Sequence, residues 1–477
     1  MHHYTRLGAT ELASLIRRRE ASPVEVVEAH ISRIEAVNSR INAVVVSNFE
    51  AARREAIAAE EALDRCGDGD ALPPFFGVPC TIKELLAVEG KPWTAGVVAR
   101  REVIAAEDAP QVARLRAAGA IVLGLTNISE SGLWLESYNK LYGRTKNPWD
   151  DSRMAGGSSG GEAAIIGAGG SPMGLGADIG GSIRNPCFFN GICGHKPSGG
   201  LLPATGHWPP AETARGRYCV TGPMARTVED VVSMMEVLSV KDDPHRDAGR
   251  PPFQRLDISP QEVTVYYFEG TGLAPVDKDV KRALALTVDR LSDAGFAVKP
   301  WRPDNLARSA EIWGAKLAVT GDPPVRELLG NGSPISLVRQ WMKWPLRRSD
   351  HALISLIMAT LEGVTDLSPA RTAELVELAD AIQAQIEEKL GPRGVLLFPP
   401  YPRSAPRHRM AMLNPLAFSF CGIVNVLEFP STAVPTGFDR RGMPVGLQVV
   451  GRRFDDALTL GVARHVEAAW GPWQSAP

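Results

Sequence analysis

The chain has 477 residues, 44% hydrophobic and 22% charged, enough to bury a large core without disulfides or metal staples. Fifty-two basic against 54 acidic side chains leave a formal charge of -2 with no long run of one sign, which excludes the electrostatic footprint of a nucleic-acid binder. The six cysteines are scattered, with no CxxC pair and no His/Cys zinc spacing; they read as free thiols in a reducing compartment, and no cofactor or metal is expected.

The segment from Met1 to Arg6 lacks the basic-then-apolar pattern of a signal peptide, and no uncharged stretch is long enough to span a bilayer. A cytoplasmic protein with no integral membrane segment is expected. The N-terminal segment 1–65 is helical in pattern. Ser22-Pro23 followed by Glu25 supplies a cap, a proline at the first helical position and an acid at the third, and Val26, Val27, His30, Ile31 and Ile34 then recur at helical spacing.

From about Pro74, β-like runs at 78–82 and 121–125 alternate with helical stretches such as 109–118, which predicts an α/β fold with a largely parallel or mixed sheet. Glycine-rich turns dominate from Gly156 to Gly200, where the backbone must come close to other backbone or to a ligand. Residues from about 300 to 390 are helical and more polar, with Trp301, Trp313, Trp341 and Trp344 set among charges. They predict a helical insertion lining or covering a pocket, with structural packing of the tryptophans as the plainer alternative. A β-like block over 394–450 and a helix over 455–470 close the chain, with no internal repeat.

Three segments carry chemistry. Ala155-Gly156-Gly157-Ser158-Ser159-Gly160-Gly161-Glu162 packs four glycines around two serines, so hydroxyls and amides are offered to one small volume. Gly176-Ala177-Asp178-Ile179-Gly180-Gly181-Ser182-Ile183-Arg184 sets a serine directly after two glycines, so that consecutive N–H groups converge on a point. Upstream, Gly77 to Glu84 reads as a buried strand ending in Lys83, whose amine would lose hydration and hence its charge. Taken alone, a lysine in an apolar run reads more readily as a snorkelling surface residue.

Together these segments resemble the amidase-signature family, whose Ser-Ser-Lys triad they match in the order and spacing of Lys83, Ser158 and Ser182. Pro399-Pro400-Tyr401-Pro402, Ala405-Pro406-Arg407-His408 and Gly442 to Val450 look like the fatty-acid amide hydrolase branch. The resemblance is weakest over 240–390. It implies an α/β amidase-signature fold, a central twisted mixed sheet flanked on both faces by helices. A single domain over 1–477 follows, divided into N-terminal helices (1–65), a catalytic core (66–235), the insertion (300–390) and the C-terminal part of the core (391–477).

The resemblance further makes neutral Lys83 the base for Ser158, and Ser158 the relay that deprotonates Ser182 as it attacks an amide carbonyl. Backbone N–H groups of Ile179, Gly180, Gly181 and Ser182 form the implied oxyanion hole. A cis peptide between Gly157 and Ser158 is implied too. Gly157, Ser159, Asp178 and Arg184 take supporting roles, Asp178 and Arg184 by fixing the loop. Asn185-Pro186-Cys187 and His195 depart from the small or apolar residues common there, and His195 reads as a structural hydrogen-bonding residue.

A rival sits in the same loop: Gly157-Ser158-Ser159-Gly160-Gly161 satisfies Gly-x-Ser-x-Gly with Ser159 as nucleophile. That reading needs a strand before the elbow, where Asp150 to Met154 is a polar loop, and it leaves Lys83 unused. A second alternative is the glutaminase subunit of a tRNA-dependent amidotransferase, which shares the triad. The expected partner is a small, apolar carboxamide (a fatty or aryl acyl amide, with esters or carbamates as further candidates), and the family's habit adds a homodimer.

Overall fold

In the computed structural model, residues 2–67, 71–211, 214–240, 243, 252–363 and 367–477 are described. Residues 68–70 and 212–213 of the expected core, and 364–366 of the expected insertion, lie outside the described residues. The N-terminal pattern forms helix Pro23–Ile41 with its capping box made: Ser22 Oγ accepts from the Val24 and Glu25 amides, and the Glu25 carboxylate accepts from the Ser22 amide. The segment 1–65 is not helical throughout. Asn42 turns the chain in the left-handed region, and β1 (Val44–Ser47) follows at the sheet edge, carried by the β-branched run Val44, Val45, Val46.

Among the described residues, ten further strands of the main sheet succeed it: β2 (Pro79–Lys83), β3 (Ile121–Thr126), β4 (Met173–Asp178), β5 (Cys193–Lys196), β6 (Val220–Ala225), β7 (Thr264–Tyr267), β8 (Ala297–Pro300), β9 (Gly394–Phe398), β10 (Ser431–Phe438) and β11 (Pro444–Val450). All join one mixed sheet in the order β1-β3-β2-β4-β6-β5-β10-β11-β9-β7-β8. β3, β2 and β4 are parallel neighbours, as are β9, β7 and β8, and the strands between β4 and β9 pair antiparallel. Thr81 and Ile82 register with Gly174 and Leu175, so Lys83 and Asp178 leave the same edge of the sheet from adjacent strand ends.

Both faces are covered, as alternation along β3 requires. Val122 packs into the core shared with helices Pro110–Ala117, Val228–Leu238 and Asp456–Trp470. Ile121 and Leu123 point the other way, into a core shared with helices Pro23–Ile41 and Gly160–Gly167. The 394–450 block is not β throughout: between β9 and β10 runs helix Ser419–Val426, every residue of it buried. A helix buried on all sides shows no alternation of solvent and core faces, so its period is weak in sequence.

The region expected as an insertion holds helices Ser309–Ala318, Val325–Leu329, Leu337–Lys343, Leu353–Leu361 and Pro369–Leu390. It is tied to the core by side-chain hydrogen bonds. Glu130 accepts from His351 Nδ1 and from the Ala352 amide, both at 2.8 Å, and Arg100 donates to Asn331 Oδ1 at 2.7 Å while stacking on Trp208. Among the described residues, no helix is long and apolar enough to cross a membrane, and no three His, Cys, Asp or Glu side chains converge as metal ligands.

Candidate active site

Every residue of β2 is buried, and Lys83 at its end exposes nothing to solvent, so it does not snorkel. Its Nζ donates to Ser158 Oγ at 2.7 Å and to the Ala177 carbonyl at 3.2 Å. Burial lowers its pKa from 10.5 to about 7, against the upward pull of Cys219, Asp178 and Glu162. Glu162, in helix Gly160–Gly167, accepts from the hydroxyls of Thr81 and Thr126. Burial nevertheless pushes its carboxyl up to about 8. Among the described residues Lys83 forms no ion pair, so no direct contact with a carboxylate offsets the cost of its burial.

The Gly157–Ser158 peptide is cis. A Cβ on Gly157 would lie 2.4 Å from the Trp134 carbonyl oxygen and 2.7 Å from the Glu136 nitrogen, so only glycine fits. Ser137 Oγ donates to the Ser158 carbonyl at 3.0 Å and accepts from the Gly160 amide at 2.9 Å, which clamps the loop from behind. Ser159 is fully buried, its Oγ donating to the Ala177 carbonyl at 3.3 Å and its N–H to the Ser182 carbonyl at 3.2 Å. Both groups of Ser159 thus join the loops together, and the segment before it makes only isolated bridges, at Met154 and Arg153, in place of the strand a nucleophile elbow needs.

Asp178, at the end of β4, organises the second loop. Its carboxylate accepts from the amides of Gly181 (2.7 Å) and Ile183 (3.0 Å), from Arg184 Nε (3.1 Å) and Nη2 (3.0 Å), and from Asn425 Nδ2 (3.0 Å). Burial alone would raise its pKa; the Arg184 charge and these hydrogen bonds outweigh it and hold the carboxyl well below the usual range. Arg184, equally buried, reaches Gln448 Oε1 at 3.0 Å and the Cys421 carbonyl at 3.2 Å. Asp178 and Arg184 therefore fix the loop and do not face the cavity as free charges.

One of the four amides expected to converge is already engaged: Gly181, at φ +109°, turns its N–H onto Asp178. The N–H groups of Ile179, Gly180 and Ser182 donate to no described residue. A narrow cavity runs along Lys83, Ser158, Ile179 and Ser182. Ser182 is 8% exposed against 2% for Ser158 and none for Lys83, so accessibility rises from the lysine to the last serine.

Four neighbours have no site role assigned by the sequence. His207 and Cys219 line the same cavity. His207 Nδ1 lies 2.8 Å from the Pro209 carbonyl, an acceptor only, so Nδ1 carries the hydrogen and Nε2 receives the Cys219 thiol at 3.6 Å. Burial drops the imidazole pKa to about 3, so the ring is neutral. Asn425 lies in the helix missed at 419–426. Trp313, in helix Ser309–Ala318 of the insertion, donates Nε1–H to the Ile179 carbonyl at 2.8 Å and packs edge-on against Phe418. Only Trp313 carried any signal, as a tryptophan of the expected insertion. His195 is remote, bonded to Thr432 and Asp456 beneath the sheet. Asn185 sits directly behind the loop, its side chain against Cys421.

Residues 25–460 match the sequence profile of the amidase family. Fatty-acid amide hydrolase 2-A of Danio rerio is 40% identical over 487 residues, 98% of this chain and 89% of the relative. The acylamidase of Rhodococcus erythropolis is 33% identical, covering 98% of this chain and 96% of its own. Among solved structures, a 6-aminohexanoate cyclic dimer hydrolase complexed with substrate superposes with a TM-score of 0.81 at 27% identity, over 99% of both chains.

Proposed function

The chain belongs to the amidase-signature family and is a hydrolase of non-peptide carbon–nitrogen amide bonds, and we propose that it works through an acyl-Ser182 intermediate on small apolar carboxamides. Lys83 is the base, Ser158 the relay and Ser182 the nucleophile. Ser182 Oγ bonds to the amide carbonyl carbon as its proton passes to Ser158, whose own proton passes to Lys83 Nζ. The tetrahedral intermediate expels the leaving nitrogen, which takes the proton back along the same relay. Water, activated by the same groups, then cleaves the acyl ester and frees the carboxylic acid and Ser182.

The observation that carries this reading is the 2.7 Å contact between a fully buried Lys83 and Ser158, with burial bringing the Lys83 pKa down to about 7. An oxyanion is held in this account by the amides of Ile179, Gly180 and Ser182, which have no partner among the described residues. Gly181 serves the loop instead. The preference for apolar substrates rests on Leu85, Ile179 and Pro209 along the cavity, on the neutral His207 imidazole, and on similarity to a fatty-acid amide hydrolase and an acylamidase. Esters and aryl carbamates acylate a serine by the same steps and extend the expected range.

A panel tests the reading: a long-chain fatty amide, an aryl acylamide, a short aliphatic amide, an aryl carbamate and glutamine, each with the purified chain alone and with Ser182→Ala as control. Turnover of the apolar members, abolished in the control, is expected. Turnover of glutamine alone, or silence until a partner protein is added, would move the reading to an amidotransferase subunit.

A further inference from the structure

Each amide left free at the site belongs to a peptide unit whose carbonyl accepts a hydrogen bond. In a trans peptide the C=O and N–H point in opposite directions, so anchoring one aims the other. The Asp178 carbonyl accepts from Asn425 Nδ2 at 2.9 Å, which aims the Ile179 N–H. The Gly181 carbonyl accepts from the Asn185 amide at 2.8 Å, which aims the Ser182 N–H. The Ile179 carbonyl accepts from Trp313 Nε1 at 2.8 Å, which aims the Gly180 N–H.

The first anchor comes from the helix whose Asn425 also holds Asp178 and Arg184, and the second from the opening turn of helix Arg184–Asn190. The third comes from the helical insertion. We infer that Trp313 is a positioning residue for the reaction: its indole N–H fixes the Ile179–Gly180 peptide so that the Gly180 N–H faces the carbonyl oxygen of the substrate. Glycine at 180 makes the orientation depend on this bond, since it restrains its own torsions least. The indole ring lies close behind, with Trp313 Nε1 3.7 Å and Phe418 3.5 Å from where a Gly180 Cβ would sit. Docking of the insertion, through Glu130 with His351 and through Arg100 with Asn331, thereby becomes a condition for a complete oxyanion site. The inference rests on the acyl-Ser182 reading and adds to it a part played by residues outside the core.

Two replacements test it in the full chain: Trp313→Phe, and substitution of the Trp313 indole by its benzothiophene isostere, which exchanges only N–H for sulfur and keeps the ring packing on Phe418. Both are assayed with the best amide of the panel and with a trifluoromethyl ketone bearing the same acyl group, which adds to the nucleophile and places an oxyanion in the site. Both variants are expected to lower kcat about tenfold, short of the roughly 100-fold or greater cost of deleting a donor outright. KM should stay within about twofold, and trifluoromethyl ketone affinity should fall by the same factor as kcat. Unchanged kcat in the isostere, or a rise in KM alone, would overturn the assignment and reduce Trp313 to a pocket wall. Turnover surviving in Ser182→Ala would instead overturn the reading beneath it.

Discussion

Following kcat/KM for the best amide from pH 5 to 10 probes the buried lysine directly. Burial penalises the ammonium form and sets the Lys83 pKa at about 7. Protonation as pH falls removes the base, so activity should rise with pH. For a single group titrating there, the neutral fraction is about one-tenth at pH 6, one-half at pH 7 and nine-tenths at pH 8. An ordinary lysine near 10.4 would be neutral in only about one molecule in 250 at pH 8. The log plot should therefore climb with unit slope below about pH 6.5 and level off above about pH 8, a midpoint nearer neutrality than an unburied amine allows. Lys83→Met, which keeps the site apolar and filled, should lose the roughly 100- to 10,000-fold that a general base contributes. A profile flat from pH 5 to 9, a midpoint near 10, or a Lys83→Met protein within tenfold of the parent kcat would refute the assignment.

Ser182→Ala should abolish turnover, whereas Ser158→Ala should keep a small residue, because a water bridging Lys83 and Ser182 can take over the relay; equal activity in both, by steady-state assay, contradicts the division of roles. Asp178→Asn leaves the buried Arg184 without its counter-charge and should cost about 3–5 kcal/mol in denaturant unfolding, with activity lost in step. Among the glycines, Gly157→Ala and Gly181→Ala should lower the melting temperature, the first meeting the Trp134 carbonyl and the second strained at φ +109° against Asn185. Gly180→Ala, with only ordinary contacts around its Cβ, should melt close to the parent. Glu130→Ala strands the His351 ring and the Ala352 amide, at a cost of about 1–3 kcal/mol. Limited proteolysis should then cut the 300–390 region sooner than in the parent.

What the sequence announced is what local chemistry encodes. The capping residues around Ser22, the apolar strand ending in Lys83 and the glycines around Ser158 and Ser182 are each required by their own backbone, and each lies where its pattern predicted. The elements it hid are those fixed by distant packing. Helix Ser419–Val426 is buried on every side and so lost its period, and with it went Asn425, whose importance arises only from contact with Asp178 and Arg184 in a far-off stretch of the chain. β1 escaped notice because its β-branched run is short and lies between two long helices. That the Gly181 amide is taken by Asp178 depends on one left-handed torsion, which a Gly-Gly pair permits without dictating. Trp313 was visible as a residue of the insertion, yet its bond to Ile179 spans 134 positions and follows only from how the insertion docks.

The proposed mechanism stands or falls on whether Ser182 carries the acyl group. Treating the purified chain with a long-chain fluorophosphonate and mapping the adduct by peptide mass spectrometry tests it most directly. One phosphonyl group per chain is expected, on Ser182, formed faster as pH rises through 7 and absent from Ser182→Ala. An adduct on Ser158 or Ser159, or undiminished labelling of Ser182→Ala, would contradict it.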